Sequence, residues 1–102
     1  MSGARLTDAG DGRLRVEGVL GFDTVTRLLA ESSPRFLSGR QLLIDLSGVT
    51  SANSAGIALL LEWMDLAQAR GVGLAFAGLP ESIRRLAAIS NLTALLPVQD
   101  PQ

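Results

Sequence analysis

The segment from residue 44 to residue 57 reads IDLSGVTSANSAGI, and no other part of the chain is as distinctive. It starts inside an apolar run, Gln41–Leu46, which predicts a buried parallel strand with apolar side chains on both faces. The polar residues Ser47–Asn53 predict a turn after that strand. The apolar-rich segment Ser54–Arg70 then predicts a long helix. Residues 41–70 therefore predict a strand–turn–helix unit that has a hydroxyl residue where the helix begins.

The start of the long helix carries two residues with polar side chains, Asn53 and Ser54. Both residue types are preferred helix caps, because their side chains accept hydrogen bonds from the unpaired N–H groups of the first turn. A phosphate on Ser54 would also be stabilised there, since it would lie at the positive end of the helix dipole. Capping and modification are compatible, and the sequence leaves both open.

Upstream of this unit, the sequence predicts a β-hairpin followed by a helix. The segments Arg5–Ala9 and Arg13–Val19 predict two strands joined by the loop Gly10-Asp11-Gly12. Asp23 or Thr24 is expected to cap the helix, and Ser32-Ser33-Pro34 is expected to end it. The apolar residues at helical spacing, which predict its packed face, are Phe22, Val25, Leu28 and Leu29.

Downstream, Gly71 predicts the end of the long helix, and residues 72–77 predict another strand. Pro80-Glu81 predicts the start of a third helix that reaches about Ser90, because proline and an acid are favoured in a first turn. Residues 92–98 are consistent with a last strand or a turn, and residues 97–102 with a frayed tail. We therefore expect one α/β domain over residues 1–102, in which about three to four helices flank a mixed sheet with a leading hairpin.

The composition argues against most kinds of catalytic chemistry. The chain has 102 residues, of which 47% are hydrophobic, and it contains neither cysteine nor histidine. It therefore lacks thiol nucleophiles, thiolate ligands, and the commonest general base and metal ligand. A Walker A pattern and a glycine-rich nucleotide fingerprint are also absent from the sequence. We expect a protein that is not an enzyme and that has no cofactor and no metal site.

Charge and hydropathy bear on the kind of partner and on localisation. The net charge is −1 and the basic residues are scattered, which disfavours nucleic acid as a partner. The N-terminus has no apolar stretch typical of a signal peptide. The longest uncharged apolar segment, Ala55–Leu61, is far shorter than the roughly 20 residues that cross a bilayer. We expect a cytoplasmic protein without membrane insertion, which reaches the inner membrane only through a partner.

The pattern Asp45-Leu46-Ser47-x-Val49, followed by Asn53-Ser54-Ala55-Gly56 and an apolar helix, resembles the STAS family (sulfate transporter and anti-sigma factor antagonist domains). The resemblance extends over nearly the whole chain, including the hairpin, the helix start at residues 22–25 and the strand at residues 71–78. It implies a STAS fold and a non-catalytic module that docks on partner proteins. Anti-sigma factor antagonists carry Asp-Ser-Ser-Gly in this loop, and a partner kinase phosphorylates the first serine, which Ser54 matches.

The hydroxyl-Ala-Gly form of the motif, Ser54-Ala55-Gly56, makes the chain more similar to the MlaB branch of the family. Asn53 replaces the aspartate and Ala55 replaces the second serine. MlaB-type domains are STAS subunits of the bacterial phospholipid transporter that maintains outer-membrane lipid asymmetry. The resemblance implies a subunit that binds, and regulates or stabilises, the cytoplasmic ATPase of such an ABC transporter. The alternative that it implies is an anti-sigma factor antagonist, bound by an anti-sigma factor kinase and controlled by phosphorylation at Ser54.

The partner-binding surface is expected around the start of the long helix. The long helix has a second apolar stripe, Leu59, Trp63 and Leu66, which must lie under other elements or under a partner. In the second case Trp63 would anchor an interface. Arg84, next to Arg85, is either solvated or in contact with an acidic groove of a partner. The expected partner-binding or regulatory residues are Thr50, Ser51, Asn53, Ser54, Ala55, Gly56, Trp63 and Arg84.

Overall fold

The computed structural model describes residues 3–99, which form a four-stranded sheet with three α-helices. The sheet order is β1-β2-β3-β4, with β1 antiparallel to β2 and the other neighbours parallel. The mixed sheet with a leading hairpin confirms the predicted α/β fold class. The elements are β1 (Ala4–Gly10), β2 (Arg13–Leu20), α1 (Val25–Ser32), β3 (Gln41–Ala52), α2 (Ser54–Arg70), β4 (Gly73–Ala77) and α3 (Glu81–Ile89), with 3₁₀ turns at Ser33–Arg35 and Thr93–Leu95.

Burial alternates along the central strands, so only one face of the sheet is fully covered. On β2, Leu14 and Val16 are buried, whereas Arg15 between them is exposed. The register pairs Leu14 with Ile44, which is also buried, and Arg15 with Asp45, which is not. The prediction of a β3 strand that is apolar and buried on both faces is therefore wrong. Its second face lies toward solvent, because the helices pack against one side of the sheet.

Strand β3 is twice as long as the sequence predicts, because residues 47–52 are strand and not turn. They pair with the end of β2, from Gly18 opposite Val49 to Leu20 opposite Ala52. Polar residues tolerate this conformation because alternate side chains face solvent, while Val49 points into the core. Strand β4 reaches only as far as Asp45 of β3, so the ends of β2 and β3 project beyond it as a two-stranded ribbon.

The first helix begins at Val25 with Thr24 at the cap position, one of the two caps that the sequence predicts, although the Thr24 side chain does not bond to the helix N–H groups. The Thr24 hydroxyl accepts a hydrogen bond from the Gly21 N–H (3.0 Å) and donates one to the Val19 carbonyl (2.9 Å). These bonds close a turn over residues 21–24 that leaves Phe22 outside the helix and 76% exposed. The prediction that Phe22 shares the packed face of the helix is therefore wrong. The helix ends at Ser32, as predicted, and the 3₁₀ turn with Pro34 follows.

Helix α2 is buried on two sides, and this accounts for its second apolar stripe. Trp63 is fully buried, its ring lies 6.2 Å from that of Phe76, and its Nε1 donates a hydrogen bond to the Ser32 Oγ (2.7 Å). Helix α2 therefore packs against the sheet and against α1, and it also contacts α3. The hypothesis that Trp63 anchors a partner is wrong in this structure, because the protein's own elements cover the indole.

The C-terminal segment pairs with the edge of β4. The Phe76 N–H donates to the Pro97 carbonyl (2.8 Å), and the Gln99 N–H donates to the Phe76 carbonyl (2.7 Å). Residues 97–99 are therefore not frayed, contrary to the prediction, and the rest of that prediction concerns residues 100–102, which lie outside the described chain. Helix α2 ends at the left-handed Gly71 (φ 67°), as predicted, and α3 ends within one residue of the predicted Ser90, shortly before the left-handed Asn91 (φ 57°).

Candidate functional site

The ribbon formed by β2 and β3 meets the start of α2 in a sharp corner. Asn53 is the cap of this helix, since its Oδ1 accepts a hydrogen bond from the Ala55 N–H (2.8 Å). The Asn53 N–H donates in turn to the Leu20 carbonyl (3.1 Å), which ties the corner to the end of β2. We call residues 50–56 the corner. Its backbone is fixed by the strand on one side and by the helix on the other.

Ser54 is the first residue of α2 and its side chain is exposed. The sequence leaves open whether Asn53 or Ser54 caps the helix, and in the structure the cap is Asn53. Within residues 3–99 the Ser54 hydroxyl forms no hydrogen bond. It is therefore available at the positive end of the helix dipole for a partner group or for a modifying enzyme.

Ala55 and Gly56, also predicted to bind a partner, face inward and are buried. A Cβ atom at position 56 would lie 2.9 Å from the Cβ of Ala52 and 3.2 Å from that of Leu20, which is too close. The close approach that Gly56 permits is therefore between α2 and the β2–β3 ribbon. The prediction of direct partner contact is therefore wrong for Gly56, whose space the sheet occupies, and for Ala55, which is buried and offers no surface to a partner.

The exposed surface of the corner is polar. The Thr50 hydroxyl donates a weak hydrogen bond to the Gly18 carbonyl (3.3 Å), and Ser51 pairs with Val19 across the ribbon. The structure thus brings together four of the predicted residues at solvent: Thr50, Ser51, Asn53 and Ser54. They offer hydroxyl and amide groups for hydrogen bonding.

Arg84 lies on α3, outside the corner. Its Nε donates a hydrogen bond to the carbonyl of Leu79 (3.2 Å), which lies two residues before the same helix. Helix α3 follows β4, whose last pair with β3 is Ala77 with Asp45, well before the corner. No hydrogen bond or ion pair in the described chain joins Arg84 to the corner, so the structure does not add it to this surface.

Sequence reasoning missed Phe22, the most exposed aromatic side chain of the described chain. It lies in the turn that packs beside the corner: a Cβ at Gly21 would be 3.6 Å from the Asn53 Nδ2 and 3.4 Å from the Asp23 Oδ1. A signal for this placement was present. Gly21 interrupts the strand, and the expected cap at Thr24 by itself places Phe22 before the helix and not on its packed face.

Asp45, the acid of the recognised motif, is engaged within the sheet. Partial burial raises the pKa of the Asp45 carboxyl. The hydrogen bond from the Ser47 N–H (2.9 Å) and the charges of Arg15 and Arg13 lower it by more than burial raises it, so the pKa lies below its ordinary value. The Arg15 guanidinium lies 3.8 Å from the carboxylate. The lowered pKa keeps Asp45 charged on the open face of the sheet, where it pairs with Arg15 of β2.

Two further findings concern ligands and membranes. Residues 3–99 contain no cluster of three or more carboxylates that could hold a metal ion. None of the helices among them is both long and apolar enough to span a bilayer.

Comparisons with known proteins agree with this architecture. A family model described as "Mlab, STAS domain" matches residues 4–97. Three solved structures of anti-sigma factor antagonists share the fold. Unphosphorylated SpoIIAA has a TM-score of 0.71 and 16% sequence identity, over 97% of this chain and 88% of that chain; a STAS domain protein of Planctomyces limnophilus has a TM-score of 0.72 and 18% identity, over 100% of this chain and 92% of that chain. An antagonist of Mycobacterium paratuberculosis has a TM-score of 0.65 and 20% identity, over 97% of this chain and 86% of that chain. Among curated proteins, none matches the chain. The family match over almost the whole described chain, together with the fold, shows that the chain belongs to the MlaB-type STAS domain family.

Proposed function

We propose that this domain is a non-catalytic subunit that binds the cytoplasmic ATPase of a Mla-type phospholipid ABC transporter and regulates or stabilises it. STAS domains are generally regulatory proteins that act by binding partners, and the match to the MlaB-type family favours this partner. The observation that supports the corner as the binding surface is the exposed Ser54 hydroxyl, which forms no hydrogen bond within residues 3–99, while Asn53 caps the helix.

The corner suits docking because its backbone is already ordered. Asn53 is bonded to Leu20 and to the first turn of α2, so little conformational entropy is lost when a partner binds. Binding would regulate the ATPase if the domain has a higher affinity for the assembled, active state than for the others. In this proposal the domain works in the cytoplasm, reaches the inner membrane through the ATPase, and contributes to lipid asymmetry.

The first prediction tests this surface with Ser54→Arg and Ser54→Glu. Position 54 is exposed at the helix start, so the introduced Arg or Glu side chain should leave the fold intact. The bulk and charge of either side chain should abolish association with the ATPase. A pull-down with the purified ATPase subunit measures binding, and circular dichroism checks the fold. Ser38→Arg is the matched control, because Ser38 is also exposed but precedes β3 at the opposite end of the sheet. Unchanged binding of both Ser54 variants would exclude the corner as the docking surface.

A second candidate function is that of an anti-sigma factor antagonist switched by phosphorylation. It is favoured by the position of the free Ser54 hydroxyl at the start of α2, where helix N–H groups stabilise a phosphate, and by the names of the similar structures. A phosphate would add about −1.5 to −2 charges and change partner binding. Mass spectrometry after incubation with a kinase encoded beside the gene separates the two candidates: phosphate on the wild type but not on Ser54→Ala supports the antagonist.

A further inference from the structure

The exposed Phe22 side chain is an unusual feature of the corner's surroundings. It is 76% exposed, although it lies in a turn that is tightly bonded to the rest of the chain. The Thr24 hydroxyl closes the turn through Gly21 and Val19, and the N–H groups of Thr24 and Val25 both donate to the Gly21 carbonyl (3.0 and 3.1 Å). The ring is therefore presented on a rigid support.

The surroundings of the ring combine apolar and acidic groups. Val19, at the end of β2, is also partly exposed, at 41%. Asp23 is exposed and forms no hydrogen bond or ion pair in the described chain. Arg27, the next basic residue along the chain, is engaged by Glu31 (3.0 Å) and by the Ala4 carbonyl (2.7 Å). Within residues 3–99 the turn therefore presents an aromatic ring next to a carboxylate that has no ion-pair partner.

The exposed ring beside a carboxylate favours one kind of binding partner over the others. An anionic lipid surface would repel the Asp23 carboxylate, and Arg27, the next basic residue along the chain, is already engaged by Glu31 and by the Ala4 carbonyl. A second copy of the chain, docked about a two-fold axis through Phe22, would bring two Asp23 carboxylates together. A different protein can instead supply an apolar pocket for the ring and a basic side chain for Asp23, which gives complementary charge.

We propose that Phe22 is the aromatic anchor of the docking surface and that its occupant is a partner protein with an apolar pocket beside a basic residue. This inference rests on the proposed function, since it places the anchor next to the Ser54 corner. A covered phenyl ring removes a large apolar area from water, and rigid aromatic residues are frequent hot spots. Ser54 and Asn53 then form the polar part of the same interface.

The test places a photo-crosslinking phenylalanine analogue at position 22 in the native organism, with the same analogue at position 37 as control. Leu37 is also an exposed apolar residue (54%), but it lies in the connector before β3. Position 22 should crosslink to a protein and position 37 should not, and mass spectrometry identifies that protein. Adducts at position 22 that are only lipid, or only a second copy of the chain, would overturn the inference.

Affinity for the purified crosslinked protein then measures the contribution of the ring. Phe22→Ala should weaken binding at least ~10-fold, and Leu37→Ala should leave it unchanged. Asp23→Lys should slow association and reverse its dependence on salt. The unfolding midpoint should be the same for Phe22→Ala and the wild type, because an exposed ring contributes little to the core.

The outcomes separate this inference from the proposed function. If the crosslinked protein is the transporter ATPase and Phe22→Ala weakens its binding, the result supports both the proposed function and the anchor role of Phe22. If the crosslinked protein is another protein and Phe22→Ala weakens its binding, Phe22 is the anchor but the transporter ATPase is not the partner. If the ATPase binds Phe22→Ala as tightly as the wild type but does not bind Ser54→Arg, the function stands and the anchor is wrong.

Discussion

The buried indole of Trp63 depends on one hydroxyl group. Its Nε1 donates to the Ser32 Oγ at 2.7 Å, and the same hydroxyl donates to the Leu29 carbonyl at 3.0 Å. Ser32 has no exposed surface, so water cannot replace it. This pair joins α1 to α2 at a point that neither residue reveals in the sequence, since the two residues are far apart in the chain.

At this scale we predict that Ser32→Ala lowers the free energy of unfolding by about 1–3 kcal/mol, because it leaves the indole N–H buried without an acceptor. Urea denaturation measures the change, and Ser38→Ala, at an exposed serine, is the control. In a Trp63→Phe background the donor is absent, so Ser32→Ala should cost much less. An equal cost in both backgrounds would show that the hydrogen bond is not the cause.

Single residues also decide what the corner presents. Asn53 takes the capping role, and this leaves the hydroxyl of Ser54 free. The sequence predicted that these two residues lie at the helix start and that either could cap it. It could not assign the role, because a cap is defined by backbone angles that depend on how β3 enters the corner.

Among the elements, α2 lies very close to the sheet at its first turn. Gly56 faces Ala52 and Leu20, and an added Cβ would lie within 3.2 Å of both of their Cβ atoms. These neighbours are fixed by the strand backbone and cannot rotate away. The position of the whole helix relative to the ribbon, and so the geometry of the corner, therefore depends on a residue without a side chain.

We predict that Gly56→Val lowers the free energy of unfolding by about 1–3 kcal/mol through overpacking. Ala58→Val is the matched control, since Ala58 is exposed on the same helix and should lose only about 0.5 kcal/mol of helix propensity. Chemical denaturation of both variants checks the difference. A Gly56→Val protein as stable as Ala58→Val would mean that the helix shifts without cost.

Over the whole molecule, the two edge strands of the sheet, β1 and β4, differ in whether another segment is hydrogen-bonded to their outer edge. The outer edge of β1 is not covered by another strand of the described chain, whereas β4 is bonded to residues 97–99 through Phe76. The C-terminal segment therefore acts as a short cover for β4, beneath which Phe76 packs against Trp63. Covering an edge also blocks pairing with other chains.

At this scale we predict that truncation after Leu96 lowers the free energy of unfolding by about 1–3 kcal/mol, since two hydrogen bonds are lost. The Phe76 amide should also exchange with deuterium faster than in the full chain. Truncation after Gln99 is the control, because it keeps both bonds. If the two truncations behave alike, residues 97–99 do not stabilise the edge of β4.

The sequence by itself determined the order and type of the elements. Local signals such as Pro34, Gly71, Pro80 and Asn91 act within one or two residues, and each helix ends or begins where its signal predicts. Glycine and asparagine tolerate left-handed angles and proline prevents a continuing helix, so these boundaries need no tertiary partner. The motif around Ser54 likewise placed the corner at the junction of β3 and α2.

Tertiary structure alone decided the length of β3, the burial of Trp63 and the exposure of Phe22. Residues 47–52 are a strand because β2 lies beside them and supplies hydrogen-bond partners. Trp63 is covered because α1 and the sheet meet over it, whereas no element of the described chain covers the Phe22 ring. An apolar residue is buried or exposed according to which distant segments lie against it, and the periodicity of one segment does not contain that information.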